Sequence, residues 1–196
     1  MVNKLSIYVT NILVEKGKII KEDYELYHYG LFIIISEILL FMYCLLVGAV
    51  FKNILPSILF YMFFSLMHRF SGGFHAKTEL HCLIITLSFF LIGIILVKHI
   101  IQLNSVFLIG TYIGCAIILI ILSPADTPQK ALSLKDKNLF KKITSLILVI
   151  GFITVVVLTI KNIYLYANAM NVAVVLQTLS VVCGRLFNKK LLTNNT

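Results

Sequence analysis

Apolar residues occur in long runs along this chain rather than in short alternating stretches. Five runs are each long enough to cross the hydrocarbon core of a bilayer, which is about 30 Å thick. They cover residues 30–51, 80–101, 105–122, 143–160 and 163–187. Runs of this length favour transmembrane helices over barrel strands, which alternate over about 10 residues. The pattern therefore predicts an all-α fold, a polytopic transmembrane helix bundle.

A sixth apolar segment, residues 54–67, is shorter and has Pro56 near its start, so its length alone also allows a re-entrant segment. If it crosses and the N-terminus is cytosolic, 14 of the 17 Lys and Arg residues face the cytosol, leaving Lys52, Lys98 and Lys161 outside. The best five-span arrangement places only 11 of the 17 there. Because short cytosolic loops are enriched in basic residues, we predict six spans.

The first 29 residues mix charged and apolar side chains, without the apolar core of a signal peptide. Their apolar positions recur at helical spacing, which is typical of an amphipathic helix in the membrane interface. Gly17 interrupts the pattern, so a loosely ordered tail is the alternative. We expect an amphipathic N-terminal segment at 1–29, a single transmembrane bundle at 30–187 and a cytosolic tail at 188–196.

Composition excludes a soluble domain, because only 13% of the residues are charged, against roughly 25% in soluble proteins. The net charge of +9 comes from basic residues scattered between the apolar runs, without a platform of basic and aromatic residues. The charge therefore indicates membrane topology rather than nucleic-acid binding, and the lipid bilayer is the expected partner.

Reactive side chains are concentrated in residues 68–82, which contain three of the five histidines. Cys82 is in this segment, whereas the other three cysteines lie inside apolar runs. Gly72 and Gly73 permit backbone conformations that end one helix and turn the chain before the next. Both topologies place this segment on the cytosolic side, so we predict a cytosolic turn that carries the chemistry.

His75 and Cys82 can act together only if the chain folds back between them. On one straight helix they would be about 10 Å apart, at about 1.5 Å per residue, which is too far for proton transfer. With Thr78 as N-cap, Cys82 would lie in the first turn of the next span, where the helix dipole favours a thiolate. His75 would then accept the thiol proton. The alternatives are a packing cysteine and histidines that cap or snorkel.

A metal site is another interpretation of this segment. Its potential ligands are His68, His75, Glu79, His81 and Cys82. Their spacing matches no common zinc signature. We therefore expect neither a metal ion nor a cofactor.

Arg69, the run Gly-Phe-His-Ala-Lys-Thr at 73–78 and Cys82 together resemble the signature of AgrB, the accessory gene regulator B membrane endopeptidases of Gram-positive bacteria. The resemblance extends over most of the chain. It includes the length, the polar N-terminal segment, Glu37 within the first span, and the turn Ser-Pro-Ala-Asp-Thr-Pro at 123–128 before a Lys-rich cytosolic loop.

The resemblance implies a cysteine endopeptidase of the cell membrane that processes the precursor of a cyclic autoinducing peptide used in quorum sensing. Its partner would be an AgrD-like precursor peptide. His75 would be the general base and Cys82 the nucleophile, forming a thioester that an internal Cys or Ser of the precursor then displaces. His68 and Arg69 stand where the family often has two Arg or Lys residues, and His81 matches no essential family residue.

Further residues are candidates for substrate binding or structural support. Glu37 is costly in hydrocarbon unless paired, so it either faces the bundle interior, with Arg69 or Lys77 as partner, or snorkels to the interface. Asp126 either orients His75 or caps a helix, and we favour the cap. Gly72 and Gly73 support the turn itself.

Two other function classes remain open from the residues alone. A small transporter or channel would line a polar path with Glu37, His75 and Asp126, but only the first span contains a buried acidic residue. A noncatalytic scaffold would tolerate loss of Cys82. Neither explains the polar residues around the glycine pair. A homodimer is an expectation that rests on no particular residue.

Overall fold

A computed structural model of the chain describes residues 2–74, 79–99, 104–125 and 133–193. Its described residues form seven α-helices and one short 3-10 turn, with no strand among them. The helices are α1 (Val2–Glu15), α2 (Tyr24–Val50), α3 (Ile54–Ser71), α4 (Glu79–His99), α5 (Ser105–Leu122), α6 (Leu134–Ile160) and α7 (Tyr164–Thr193).

Helices α2 to α7 each contain a stretch long and apolar enough to cross a membrane, which gives six candidate spans in the described part of the chain. The all-α fold class and the six spans are therefore confirmed. Helix α3 continues to Ser71, four residues beyond the apolar stretch 54–67, and its 18 residues extend roughly 27 Å at about 1.5 Å per residue. Pro56 lies in its first turn, where a missing N–H costs no helical hydrogen bond.

The first 43 residues form a compact unit of their own. The predicted segment 1–29 is divided there, because α1 ends at Glu15 and Gly17 takes a positive φ of 62°. Helix α2 starts at Tyr24, six residues before the expected start of the first span. The boundary at residue 30 and the interfacial position of α1 both remain predictions.

Two side-chain hydrogen bonds hold α1 to the start of α2. The Nε2 of His28 lies 2.9 Å from Oδ1 of Asn3, and the Tyr24 hydroxyl donates to Oδ1 of Asn11 over 3.0 Å. Both pairs join residues of the same N-terminal unit. They explain how a helix with exposed apolar side chains keeps a defined position beside α2.

Residues 44–196 form the second unit, and α7 is its central helix. Helix α7 packs against α3, α4, α5 and α6. Aromatic rings fill the space between α3 and α4, where Phe90 meets Phe60 and Phe64 edge-on at centroid distances of 5.6 and 5.4 Å. These rings fix α3 against the helix that carries Cys82.

Helices α5 and α7 run parallel and share polar contacts from the start of both helices to the end of α5. The contacts join Ser105 to Tyr164 (3.5 Å), Thr111 to Asn171 (2.9 Å), the Cys115 carbonyl to Thr178 (3.4 Å) and the Leu122 carbonyl to Arg185 (2.8 Å). The sequence offset between partners rises from 59 to 63, and the increase of both residue numbers shows that the helices run in the same direction.

Candidate active site

Helix α3 ends where the sequence predicts, at the glycine pair. Gly72 is its C-cap, with φ 72° and ψ −164°, and its N–H donates to the His68 carbonyl over 3.1 Å. Side chains with a Cβ rarely adopt this conformation. A Cβ added at Gly72 would also lie 2.6 Å from the Ala125 carbonyl oxygen. Both local geometry and tertiary packing therefore require glycine at this position.

The next glycine lets the turn lie directly against α7. A Cβ at Gly73 would stand 2.6 Å from the Ser180 hydroxyl oxygen and 2.5 Å from Cε1 of the His68 ring. The Ser180 hydroxyl accepts a hydrogen bond of 3.1 Å from the backbone N–H of Phe74. Gly184 of α7 lies directly against the Gly73 carbonyl. A Cβ at Gly184 would be 2.6 Å from that oxygen. The turn is thus packed on α7 without intervening side chains.

One fully buried side chain of α7, Gln177, binds the end of α3 at three points. Its Nε2 donates to the Gly72 carbonyl over 2.6 Å and to the Ser71 hydroxyl over 2.7 Å. Its Oε1 lies 3.2 Å from Nδ1 of His68. A single amide therefore connects the last turn of α3 with the glycine turn.

A second loop meets the same turn from the end of α5. The Ala125 N–H donates to the Ser71 carbonyl over 2.9 Å. This contact brings the start of the Ser-Pro-Ala-Asp-Thr-Pro segment beside the glycine pair. Of this segment, the described residues 123–125 therefore lie beside the glycine turn.

Cys82 is the fourth described residue of α4 and half-buried. Its place in the first turn of the span remains a prediction, because the preceding residues 75–78 lie outside the described residues. The remaining cysteines are Cys44 of α2, Cys115 of α5 and Cys183 of α7, and all four thiols are free.

Several predicted site residues lie outside the described residues. They are His75, Lys77 and the proposed N-cap Thr78, within 75–78, and Asp126, within 126–132. The proximity of His75 to Cys82 and the role of Asp126 remain predictions. The described part of α4 begins at Glu79, directly after these residues, so Thr78 as N-cap also remains a prediction.

The two remaining charged candidates, Arg69 and Glu37, lie within described helices. Arg69 is exposed in the last turn of α3, where a cation is favoured by the helix dipole. Glu37 is half-buried in α2, within the N-terminal unit. Pairing of Glu37 with Arg69 or Lys77 therefore remains a prediction. Among the described side chains, no three His, Cys, Asp or Glu residues converge as metal ligands do.

Sequence reasoning missed Gln177 and Ser180, the two α7 side chains that hold the turn. Together with Gly184 they recur at spacings of three and four, so they share one helix face. Polar groups within a membrane span are costly unless they find partners. This cost indicates that a polar residue in the last span has a partner. It does not indicate which residue that partner is.

A protein-family model described as AgrB, Accessory gene regulator B, matches residues 6–181, which is most of the chain. The matched stretch includes the glycine turn, Cys82, Gln177 and Ser180. No curated protein matches the chain, and no solved structure matches it.

Proposed function

The chain belongs to the AgrB family, and from that premise we propose that it is a membrane cysteine endopeptidase with Cys82 as nucleophile and His75 as general base. Membership and the six apolar helices establish a multi-pass membrane protein of agr quorum-sensing peptide processing, with a peptide precursor as substrate. The chemistry, the identity of the precursor and the orientation in the membrane are the proposed parts.

One observation supports the catalytic proposal: Cys82 is the fourth described residue of α4 and follows a glycine turn that is hydrogen-bonded to α7. The first backbone N–H groups of a helix have no intrahelical acceptor and point toward its start. They favour negative charge there, both on a thiolate and on an oxyanion. His75 belongs to the short segment that connects the glycine turn to α4. We expect it to reach the Cys82 thiol from there.

In the first step, His75 accepts the Cys82 proton and the thiolate attacks a carbonyl carbon of the precursor. Backbone N–H groups at the start of α4 stabilise the oxyanion of the tetrahedral intermediate. The C–N bond then breaks, His75 returns the proton to the leaving amine, and the C-terminal fragment departs. The remaining peptide stays attached to Cys82 as a thioester.

In the second step, a Cys thiol or Ser hydroxyl of the precursor itself attacks the thioester carbonyl. His75 accepts its proton and passes it to the departing Cys82 sulfur, so the enzyme returns to its starting state. The product is a thiolactone or a lactone ring. Exchange of one thioester for another is near balance, so removal of the C-terminal fragment draws the reaction forward.

We place the protein in the cell membrane with the site on the cytosolic side. Six spans cross the membrane in alternating directions. If the turn after α3 is cytosolic, Lys52, Lys98 and Lys161 lie on the opposite side. The basic start of α6, residues 135–142, then faces the cytosol, as short loops rich in lysine do. An AgrD-like precursor would meet the site from that side.

Co-expression with a candidate precursor, followed by mass spectrometry for the released C-terminal fragment, tests this function. We expect the fragment with the wild type and with Cys115→Ala, a matched change of a half-buried cysteine in α5. We expect none with Cys82→Ala or His75→Ala at equal membrane levels. Processing that survives Cys82→Ala would refute the protease and favour a transporter or scaffold.

A further inference from the structure

We propose that Gln177 is a positioning residue for the proposed protease, and that it fixes both the backbone of the glycine turn and the tautomer of His68. This inference rests on the proposed function, because the turn matters through the His75 that follows it. Helix α7 carries none of the proposed reacting groups. In this proposal the reaction nevertheless depends on α7, through Gln177.

The orientation of the Gln177 amide follows from its partners. The Gly72 carbonyl can only accept a hydrogen bond, and it lies 2.6 Å from the amide nitrogen. The rotated amide would place two oxygens at this distance with no hydrogen between them. The nitrogen therefore faces Gly72, with its second hydrogen directed to the Ser71 hydroxyl oxygen at 2.7 Å.

The Ser71 hydroxyl completes this part of the network. While it accepts from Gln177, it donates its own hydrogen to the Met67 carbonyl over 2.8 Å. Ser71, Gln177 and Met67 are all buried. A network of buried groups that are all satisfied is costly to break, because each lost bond leaves a desolvated polar atom.

The same orientation determines the proton on His68. Since Oε1 of Gln177 can only accept, Nδ1 of His68 must carry a hydrogen to bond across their 3.2 Å separation. In the neutral ring, Nε2 is then the nitrogen with the lone pair. The ring also stacks on Phe64 at a centroid distance of 5.8 Å and lies against Gly73. Three contacts therefore fix both its plane and its tautomer.

These bonds hold the chain up to the residue before His75. Gln177 binds the carbonyl of Gly72, and Ser180, one turn later in α7, accepts from the N–H of Phe74. The peptide units on both sides of Gly73 are thus attached to α7. His75 is the next residue, so its backbone position depends on this attachment. Displacement of a reacting group by about 1 Å reduces a reaction rate by about 10²-fold.

The chain offers a matched control on the same helix. Asn168 is 2% exposed in α7, and both polar atoms of its side chain lack a hydrogen-bond partner among the described residues. Asn168→Leu and Gln177→Met each replace a buried amide with an apolar side chain of similar size. Only the second removes bonds to the glycine turn.

The deciding experiment measures steady-state cleavage of a synthetic precursor by the full chain in lipid nanodiscs. We expect Gln177→Met to lower kcat per folded molecule about 10²-fold while KM stays close to that of Asn168→Leu. Its unfolding temperature should fall below that of Asn168→Leu, because the lost bonds leave buried polar atoms unsatisfied. A kcat no lower than that of Asn168→Leu would overturn the proposal. Precursor cleavage by Cys82→Ala, in contrast, would overturn the proposed protease without bearing on the network.

A second measurement uses the unmodified sequence, so it decides even if Gln177→Met does not fold. Nitrogen chemical shifts of labelled His68 distinguish a ring protonated at Nδ1 from one protonated at Nε2. We expect the neutral ring to carry its proton on Nδ1. The opposite tautomer would contradict the hydrogen bond to Gln177 and overturn the proposal.

Discussion

The backbone N–H of Ala125 donates to the Ser71 carbonyl over 2.9 Å, so the loop after α5 is joined to the last residue of α3. Beside this bond, the Ala125 carbonyl occupies the space that a side chain on Gly72 would need. The glycine turn is therefore enclosed by α7 on one side and by this loop on another.

Gly72→Ala is expected to destabilise the protein and abolish precursor cleavage. Alanine at a φ of 72° and ψ of −164° is strained by about 1–3 kcal/mol, and its Cβ would meet the Ala125 oxygen at 2.6 Å. Thermal unfolding in detergent and fragment release measure the two effects. Gly110→Ala is the control, because no atom lies within 4 Å of a Cβ there. An unfolding temperature for Gly72→Ala equal to that of the control would contradict the enclosed turn.

Ser180→Ala is expected to lower kcat about tenfold while the fold persists. The variant leaves the Phe74 N–H without its acceptor at 3.1 Å, and an unsatisfied buried donor costs about 1–3 kcal/mol. Ser145→Ala, which removes an exposed hydroxyl bonded only within α6, should retain wild-type cleavage. Equal rates for the two variants would show that the Phe74 bond does not matter for turnover.

Thiol labelling tests the cytosolic placement of the site. A maleimide that does not cross membranes should modify Cys82 in inside-out vesicles and leave it unmodified in intact cells, with modified peptides identified by mass spectrometry. Cys44 is the internal reference, because its sulfur is buried and donates to the Ser57 carbonyl over 3.1 Å. Labelling of Cys82 from outside intact cells would reverse the proposed topology.

Tyr112→Phe is expected to destabilise the bundle by about 1 kcal/mol without a change in mechanism. The fully buried Tyr112 hydroxyl donates to the Leu148 carbonyl over 2.9 Å and so ties α5 to α6. Tyr8→Phe, at a side chain that is 64% exposed, provides the comparison in thermal unfolding. A destabilisation no larger than that of Tyr8→Phe would show that the α5–α6 bond contributes little.

The position of α1 in the interface is open to measurement by spin labels. If the exposed apolar side chains of α1 face lipid, a label at position 8 should lie about 5–10 Å into the headgroup and acyl boundary. A label at Lys18, which is exposed in the connection after α1, is the comparison and should report water. Equal aqueous accessibility at both positions would exclude an interfacial helix.

Local sequence signals were sufficient for the features that local chemistry determines. The end of α3 was predictable because the Gly72 conformation is one that glycine alone adopts easily. Span number followed from hydropathy and lysine distribution. Hydropathy did not show that α2 begins at Tyr24, because Tyr24–Tyr29 is helical without being an apolar run.

The α7 residues that bind the turn were not predictable, because their contacts are distant in sequence. Gln177 and Ser71 are 106 positions apart, and no local pattern states which polar residue of one span will bind the backbone end of another. An isolated glutamine in an apolar run shows only that a partner must exist. The identity of the partner depends on how α3 and α7 pack, which is a property of the assembled bundle.

The distance along the chain between the glycine turn and its anchor on α7 also sets an order of events during biosynthesis. The turn leaves the ribosome first, and the 106 residues from Ser71 to Gln177 take roughly 5–20 s to synthesise. During most of that interval Cys82 is already present in a nascent chain that does not yet contain α7. If the proposed protease depends on Gln177, the nascent chain acquires its activity only after α7 has been synthesised.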